Sequence, residues 1–140
     1  MGRILAIDFG RKRSGIAVTD TLQIVANGLT TVPTHTLIDF LQGYVQREPV
    51  ELIVVGQPKQ LNGQPSESTK WLEPFLNRLR KVMPDMPLVM WDERFTSVIA
   101  HRAMIDGGMK KMDRRNKEIV DTIAAAVILN DYLQSRLSTL

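Results

Sequence analysis

Ile4-Leu5-Ala6-Ile7-Asp8-Phe9-Gly10-Arg11-Lys12-Arg13-Ser14-Gly15-Ile16-Ala17-Val18-Thr19 decides the reading of this chain. Four apolar residues in a row, ended by an acid and a glycine, describe a strand buried on both faces that runs into a turn. A second run, Gly15 to Thr19, follows after a few residues, so the two are expected to form a hairpin. Ile24-Val25 with Leu29 to Val32 supply a third strand. The pattern then changes period. Leu37, Ile38, Leu41, Tyr44 and Val45 recur at helical spacing up to Pro49, which resists continuing a helix.

Leu52-Ile53-Val54-Val55 is β-branched and closed by Gly56-Gln57-Pro58, and it reads as a buried strand parallel to the first after a helical crossover. From Ser66 the residues Trp71, Leu72, Phe75, Leu76, Leu79 and Val82 keep a helical period, with Pro74 expected to start, bend or interrupt the helix. Pro84 and Pro87 isolate a strand, Leu88-Val89-Met90-Trp91. Phe95 to Ile105 reads as a helix ended by Asp106-Gly107-Gly108, and Lys117 to Leu137 is the longest helical candidate. The fold class is therefore α/β, a mixed β-sheet with helices on both faces, in one domain spanning residues 1–140.

Composition narrows the chemistry. The 140 residues are 44% hydrophobic and 24% charged, as in an ordinary globular chain that folds around one core. With 0 Cys there is no thiolate metal site or cysteine nucleophile, and a cytoplasmic location is expected. No apolar run reaches the ~20 residues that span a bilayer, so no membrane partner is expected. A net charge of +3 permits a polyanionic partner. Eight of the 18 basic residues fall in two stretches, Arg11, Lys12 and Arg13, and Lys110, Lys111, Arg114, Arg115 and Lys117.

In open α/β sheets, sites form beyond the carboxyl ends of the parallel strands. Those ends carry Asp8, the Gly56-Gln57-Pro58 turn and Asp92-Glu93-Arg94. Asp121 is notable because Ala124, Ala125 and Ile128 share its helix face, which puts a carboxylate on an apolar stripe. Read singly, each acid has a structural explanation: a turn bond for Asp8, a helix N-terminus for Asp92 and Glu93, an arginine partner such as Arg94 for Asp121. Together they form a carboxylate cluster of the kind that Mg²⁺ or Mn²⁺ neutralises, beside basic loops that can guide phosphates. The glycines around Arg11 lack the Lys-Ser/Thr ending of a nucleotide-binding loop, Asp8-Phe9-Gly10 lacks a kinase context, and His35 and His101 lack ligand spacing and read as surface or capping residues.

Ile7 to Ala17, Val55-Gly56-Gln57-Pro58, Trp91 to Thr96 and Lys117 to Asp121 with Ala124-Ala125 resemble the YqgF (RuvX) family along essentially the whole chain. These are bacterial proteins described as pre-16S rRNA nucleases or Holliday junction resolvase-like proteins. The resemblance implies a ribonuclease H-like fold and a metal-dependent nuclease that processes the 5′ end of pre-16S ribosomal RNA, with Asp8, Glu93 and Asp121 as catalytic and metal-holding residues. Arg94 and Thr96 fall in the same motif as Glu93 and join Arg11, Lys12, Arg13, Arg114, Arg115 and Lys117 as expected substrate contacts. The expected partner is structured nucleic acid, in a ribosomal particle or as a DNA junction, met by a monomer or a homodimer. Two other functions remain open: resolution of DNA junctions, and a non-catalytic nucleic-acid-binding regulatory module.

Overall fold

The computed structural model describes residues 2–57, 69–92 and 114–138. The strands are β1 (Arg3–Asp8), β2 (Arg13–Thr19), β3 (Ala26–Pro33), β4 (Val50–Gln57) and β5 (Leu88–Asp92), and the α-helices are α1 (Leu37–Arg47), α2 (Thr69–Val82) and α3 (Arg114–Ser138). The expected helix over 95–105 lies outside the described residues.

The strands form one sheet in the order β3-β2-β1-β4-β5. β1 pairs antiparallel with β2, and β2 with β3, while β1, β4 and β5 run parallel. The hairpin and the parallel crossover are both as expected from the sequence. β1 is central and its apolar run, Ile4 to Ile7, is fully buried.

Strand alternation divides these residues between two cores. On one face Leu5, Ile7, Ile16, Ile53 and Val55 pack with Leu37 and Leu41 of α1 and Leu72, Phe75, Leu76 and Leu79 of α2. On the other, Ile4, Ala6, Ala17 and Val54 pack with Ala124, Ala125, Ile128 and Leu129 of α3. The first face uses large side chains throughout, whereas the second mixes Ile4 and Val54 with Ala6 and Ala17, and α3 comes close to the sheet where it meets Gly15 and Gly28. A buried Leu or Ile contributes about 1.5–3 kcal/mol through the water it leaves, and the first face holds most of them.

Three local departures from the sequence reading have physical causes. Ile24 and Val25 stay outside β3 and are exposed, because the Asp20 carboxylate accepts hydrogen bonds from the backbone N–H groups of Leu22, Ile24 and Val25 and holds the chain in a turn. α2 runs unbroken through Pro74, which sits on the solvent side while Leu72, Phe75, Leu76 and Leu79 anchor the opposite side. Trp71, counted in the apolar period, is 46% exposed. α1 ends as its sequence predicts: Glu48, the residue before Pro49, is extended, with φ −129° and ψ 141°.

Candidate active site

The carboxyl ends of β1, β4 and β5 lie together at one edge of the sheet. Asp8 closes β1 there and is 4% exposed, a position in which a carboxylate needs compensating partners. Its cross-strand neighbours are Gly15 on β2 and Gly56 on β4, so no side chain from either adjoining strand shares its row. Asp8 has the parity of Ile4 and Ala6 and therefore faces α3, whereas Phe9, the next residue, packs into the α1–α2 core.

Asp121 reaches the same place from α3. Val120, Ala124, Ala125 and Ile128 around it are buried, as the helical spacing implies. The closest approach of helix to sheet falls at this residue. A Cβ on Gly15 would lie 2.0 Å from the Asp121 carbonyl oxygen, and one on Gly28 would lie 2.6 Å from Thr122 Cγ2. Both glycines are thus required by the docking of α3 rather than by a turn. Beside them the hydroxyls of Thr31 and Thr122 are 2.7 Å apart and fix the helix along the strand. Since Gly15 is also the register partner of Asp8, the two acids flank the same point of β2.

Arg13 completes this face. Its Nε donates to Asp121 Oδ2 in a half-buried ion pair. An arginine partner such as Arg94 is the expected arrangement for Asp121; Arg13 on β2 is such a partner, and Arg94 lies outside the described residues. The guanidinium offsets the charge of the Asp121 carboxylate. Sequence reading missed Gly15, Gly28 and Thr122 as positioning residues. A glycine inside a strand pattern is the signal for such an approach, and both glycines carry it.

Other expected site residues are distributed as follows. Arg11 and Lys12 are exposed in the β1–β2 turn. Arg114, Arg115 and Lys117 lie on the first turns of α3. Glu93, Arg94 and Thr96 lie outside the described residues. Asp92 pairs in register with Gln57 and alternates with Trp91, so Trp91, not Asp92, shares the Asp8 face. Among the described residues, no three His, Cys, Asp or Glu side chains form a metal-binding group. Asp8 and Asp121 are nevertheless hard oxygen donors of the kind that Mg²⁺ and Mn²⁺ select, and Asp121 already stands against a cation, so the pair fits such an ion.

The mixed sheet with helices on both faces and acids at the parallel strand ends defines a ribonuclease H-like nuclease fold. Its backbone superposes on Thermus thermophilus RuvC in complex with a Holliday junction substrate with a TM-score of 0.63 and 17% identity, over 99% of this chain and 98% of that one. The RuvX family, described as Holliday junction resolvase, matches residues 2–135, and this chain belongs to it. Relatives include a protein of Phocaeicola vulgatus, 62% identical over 97% of this chain and 98% of its own length, and one of Bacteroides thetaiotaomicron, 59% identical over 97% and 99%. Both are named "Putative pre-16S rRNA nuclease".

Proposed function

We propose that this chain is a metal-dependent nuclease of one domain that hydrolyses phosphodiester bonds in structured nucleic acid in the cytoplasm, with the 5′ end of pre-16S ribosomal RNA as its substrate. The observation that carries this reading is the meeting of Asp8 and Asp121 on one face, at the edge where parallel strands end. The names of the relatives support the RNA substrate, and the family description supports phosphodiester cleavage.

In this reading Asp8, Asp121 and Glu93 hold Mg²⁺ or Mn²⁺, Glu93 being assigned from its sequence motif alone. When bound, such an ion neutralises charge on the scissile phosphate and activates water. The chain's own part is positional. β1 fixes Asp8 from a buried backbone, the Gly15 contact sets the height of α3 above the sheet, and Arg13 keeps Asp121 aligned. Arg11 and Lys12, exposed on the adjoining turn, draw the phosphate chain toward this edge. Arg94, Thr96, Arg114, Arg115 and Lys117 are assigned as further substrate contacts from the sequence alone.

The test is cleavage of a labelled precursor ribosomal RNA fragment and of a four-way DNA junction with Mg²⁺, with Mn²⁺ and with EDTA, comparing wild type with Asp8→Asn. Metal-dependent cutting of the RNA, reduced at least ~1000-fold by the substitution, is expected. Cutting of the junction alone would make the chain a DNA resolvase. Equal cutting by folded Asp8→Asn would overturn the site.

A further inference from the structure

Behind the Asp8 turn, on the opposite face of the sheet, lies a second feature that the carboxylate site does not use. A cleft of about 240 Å³ opens between the β1–β2 turn, the short 3-10 helix Thr34–Thr36 and α2, and its lining includes Arg11, His35, Trp71, Phe75 and Arg78. Among the described residues, no carboxylate lines it. Trp71 and Arg78 lie on one side of α2, seven residues apart, and both are exposed. The Arg11 guanidinium sits over the Trp71 ring, 4.6 Å from its centroid.

The cleft is built. Thr34 Oγ1 donates to the Gly10 carbonyl at 2.6 Å, the Thr34 N–H donates to the Lys12 carbonyl at 2.9 Å, and the Ser14 hydroxyl lies 2.9 Å from Thr34 Oγ1. These bonds staple the turn that carries Arg11 to the helix that carries His35. Beneath them Phe9 and Phe75 pack at 5.2 Å between ring centroids, giving the cleft a rigid apolar floor. An exposed indole, two guanidinium groups and a small cavity are the chemistry of a nucleotide: an aromatic face for a base and bidentate donors for phosphate. The volume is below the ~300 Å³ at which pockets for drug-sized molecules begin, which suits one base.

We propose that this cleft holds a single unpaired nucleotide of the substrate strand, its base against Trp71 and its flanking phosphates on Arg11 and Arg78. Asp8 and Phe9 are consecutive and point to opposite faces, so a strand crossing this edge of the sheet presents one segment to the carboxylates and a neighbouring one to the cleft. Arg11, stacked on the indole, keeps its N–H edge available for phosphate. An extruded base seated here would fix how the scissile bond is set over Asp8. The identity of the bound strand rests on the nuclease reading; the cleft's preference for nucleotides does not.

The experiment measures binding of fluorescein-labelled single-stranded RNA and DNA oligonucleotides to the full chain in EDTA across a range of salt, with indole fluorescence followed in parallel. Trp71→Ala is expected to weaken binding at least ~5-fold, whereas Trp71→Phe retains affinity within ~2-fold and loses the fluorescence quenching. Arg78→Ala is expected to flatten the slope of log K against log salt by ~0.7, the value of one single-strand phosphate contact. Trp71 and Arg78 are exposed, so the folded state is retained, and the melting temperature checks it. Unchanged affinity and salt slope in both variants would overturn the cleft, as would a polyglutamate peptide that competes as well as the oligonucleotides. If wild type fails to cut in metal while these shifts are seen, the cleft stands and the nuclease reading falls; cutting by wild type with no shift gives the reverse.

Discussion

The two faces of the sheet are built from the same strands yet solve different problems. Toward α1 and α2 the strands present Leu5, Ile7, Ile16, Ile53 and Val55, and the core is thick and apolar. Toward α3 they present Ala6, Gly15, Ala17 and Gly28 against Asp121, Thr122, Ala124 and Ala125, and the helix backbone touches the strand. The first face supplies stability through area removed from water. The second keeps Ile4, Val54, Ile128 and Leu129 but is small around Gly15 and Gly28, where it gives up buried area and brings the backbone of Asp121 against the strand. Large side chains on the second face would hold α3 further out and carry Asp121 away from Asp8.

That contrast can be broken in graded ways. Leu79→Ala removes a fully buried side chain from the thick face and is expected to destabilise by about 3 kcal/mol in denaturant unfolding, with cleavage per folded molecule unchanged. Gly15→Ala is expected to cost less, about 2 kcal/mol, yet to lower cleavage sharply, since its Cβ would push on the Asp121 backbone. Should Gly15→Ala cut as fast as Leu79→Ala, the division of labour between the faces is wrong. Thr122→Val keeps the methyl against Gly28 and removes the hydroxyl that meets Thr31, so a loss of about 1 kcal/mol with a modest rate effect is expected from melting and cleavage together.

The smallest effect lies outside both faces. Backbone N–H groups, that of Val25 foremost, hold the Asp20 carboxyl below its ordinary value. A depressed folded-state value means that the stability it gives is present above the unfolded value of about 3.9 and is lost as pH falls through the folded one. Asp20→Ala should therefore lower stability slightly at neutral pH, converge with wild type in strong acid, and so flatten the acid limb of the stability–pH curve. An unchanged acid limb would remove Asp20 from the turn's account.

Much of this organisation is legible in the sequence. The buried runs at Ile4–Ile7 and Leu52–Val55, the hairpin and the helical face around Asp121 all follow from period and composition, because those patterns report directly which side of an element leaves water. Less legible is what depends on distance rather than polarity. Nothing in the period of Ile24-Val25 reveals that Asp20 captures their backbone N–H groups. Arg13 is one cation of three in a basic run, and only the strand parity that aligns it with Gly15 and Ala17 selects it for Asp121. Trp71 fits an apolar period, yet it stands at the margin of the buried stripe, where Arg11 covers it. Glu93 is read from its motif and lies outside the described residues.

Arg13 and Asp121 are 108 positions apart in the chain. Contacts of that separation form late, because a long loop must close before they return any free energy. As the chain leaves the ribosome, β1 and β2 can pair long before α3 has been made, and during that interval the Asp121 carboxylate is absent from the site. The carboxylate face is thereby completed only by the last described helix of the chain, so the order of synthesis sets when Asp8 and Asp121 can come together.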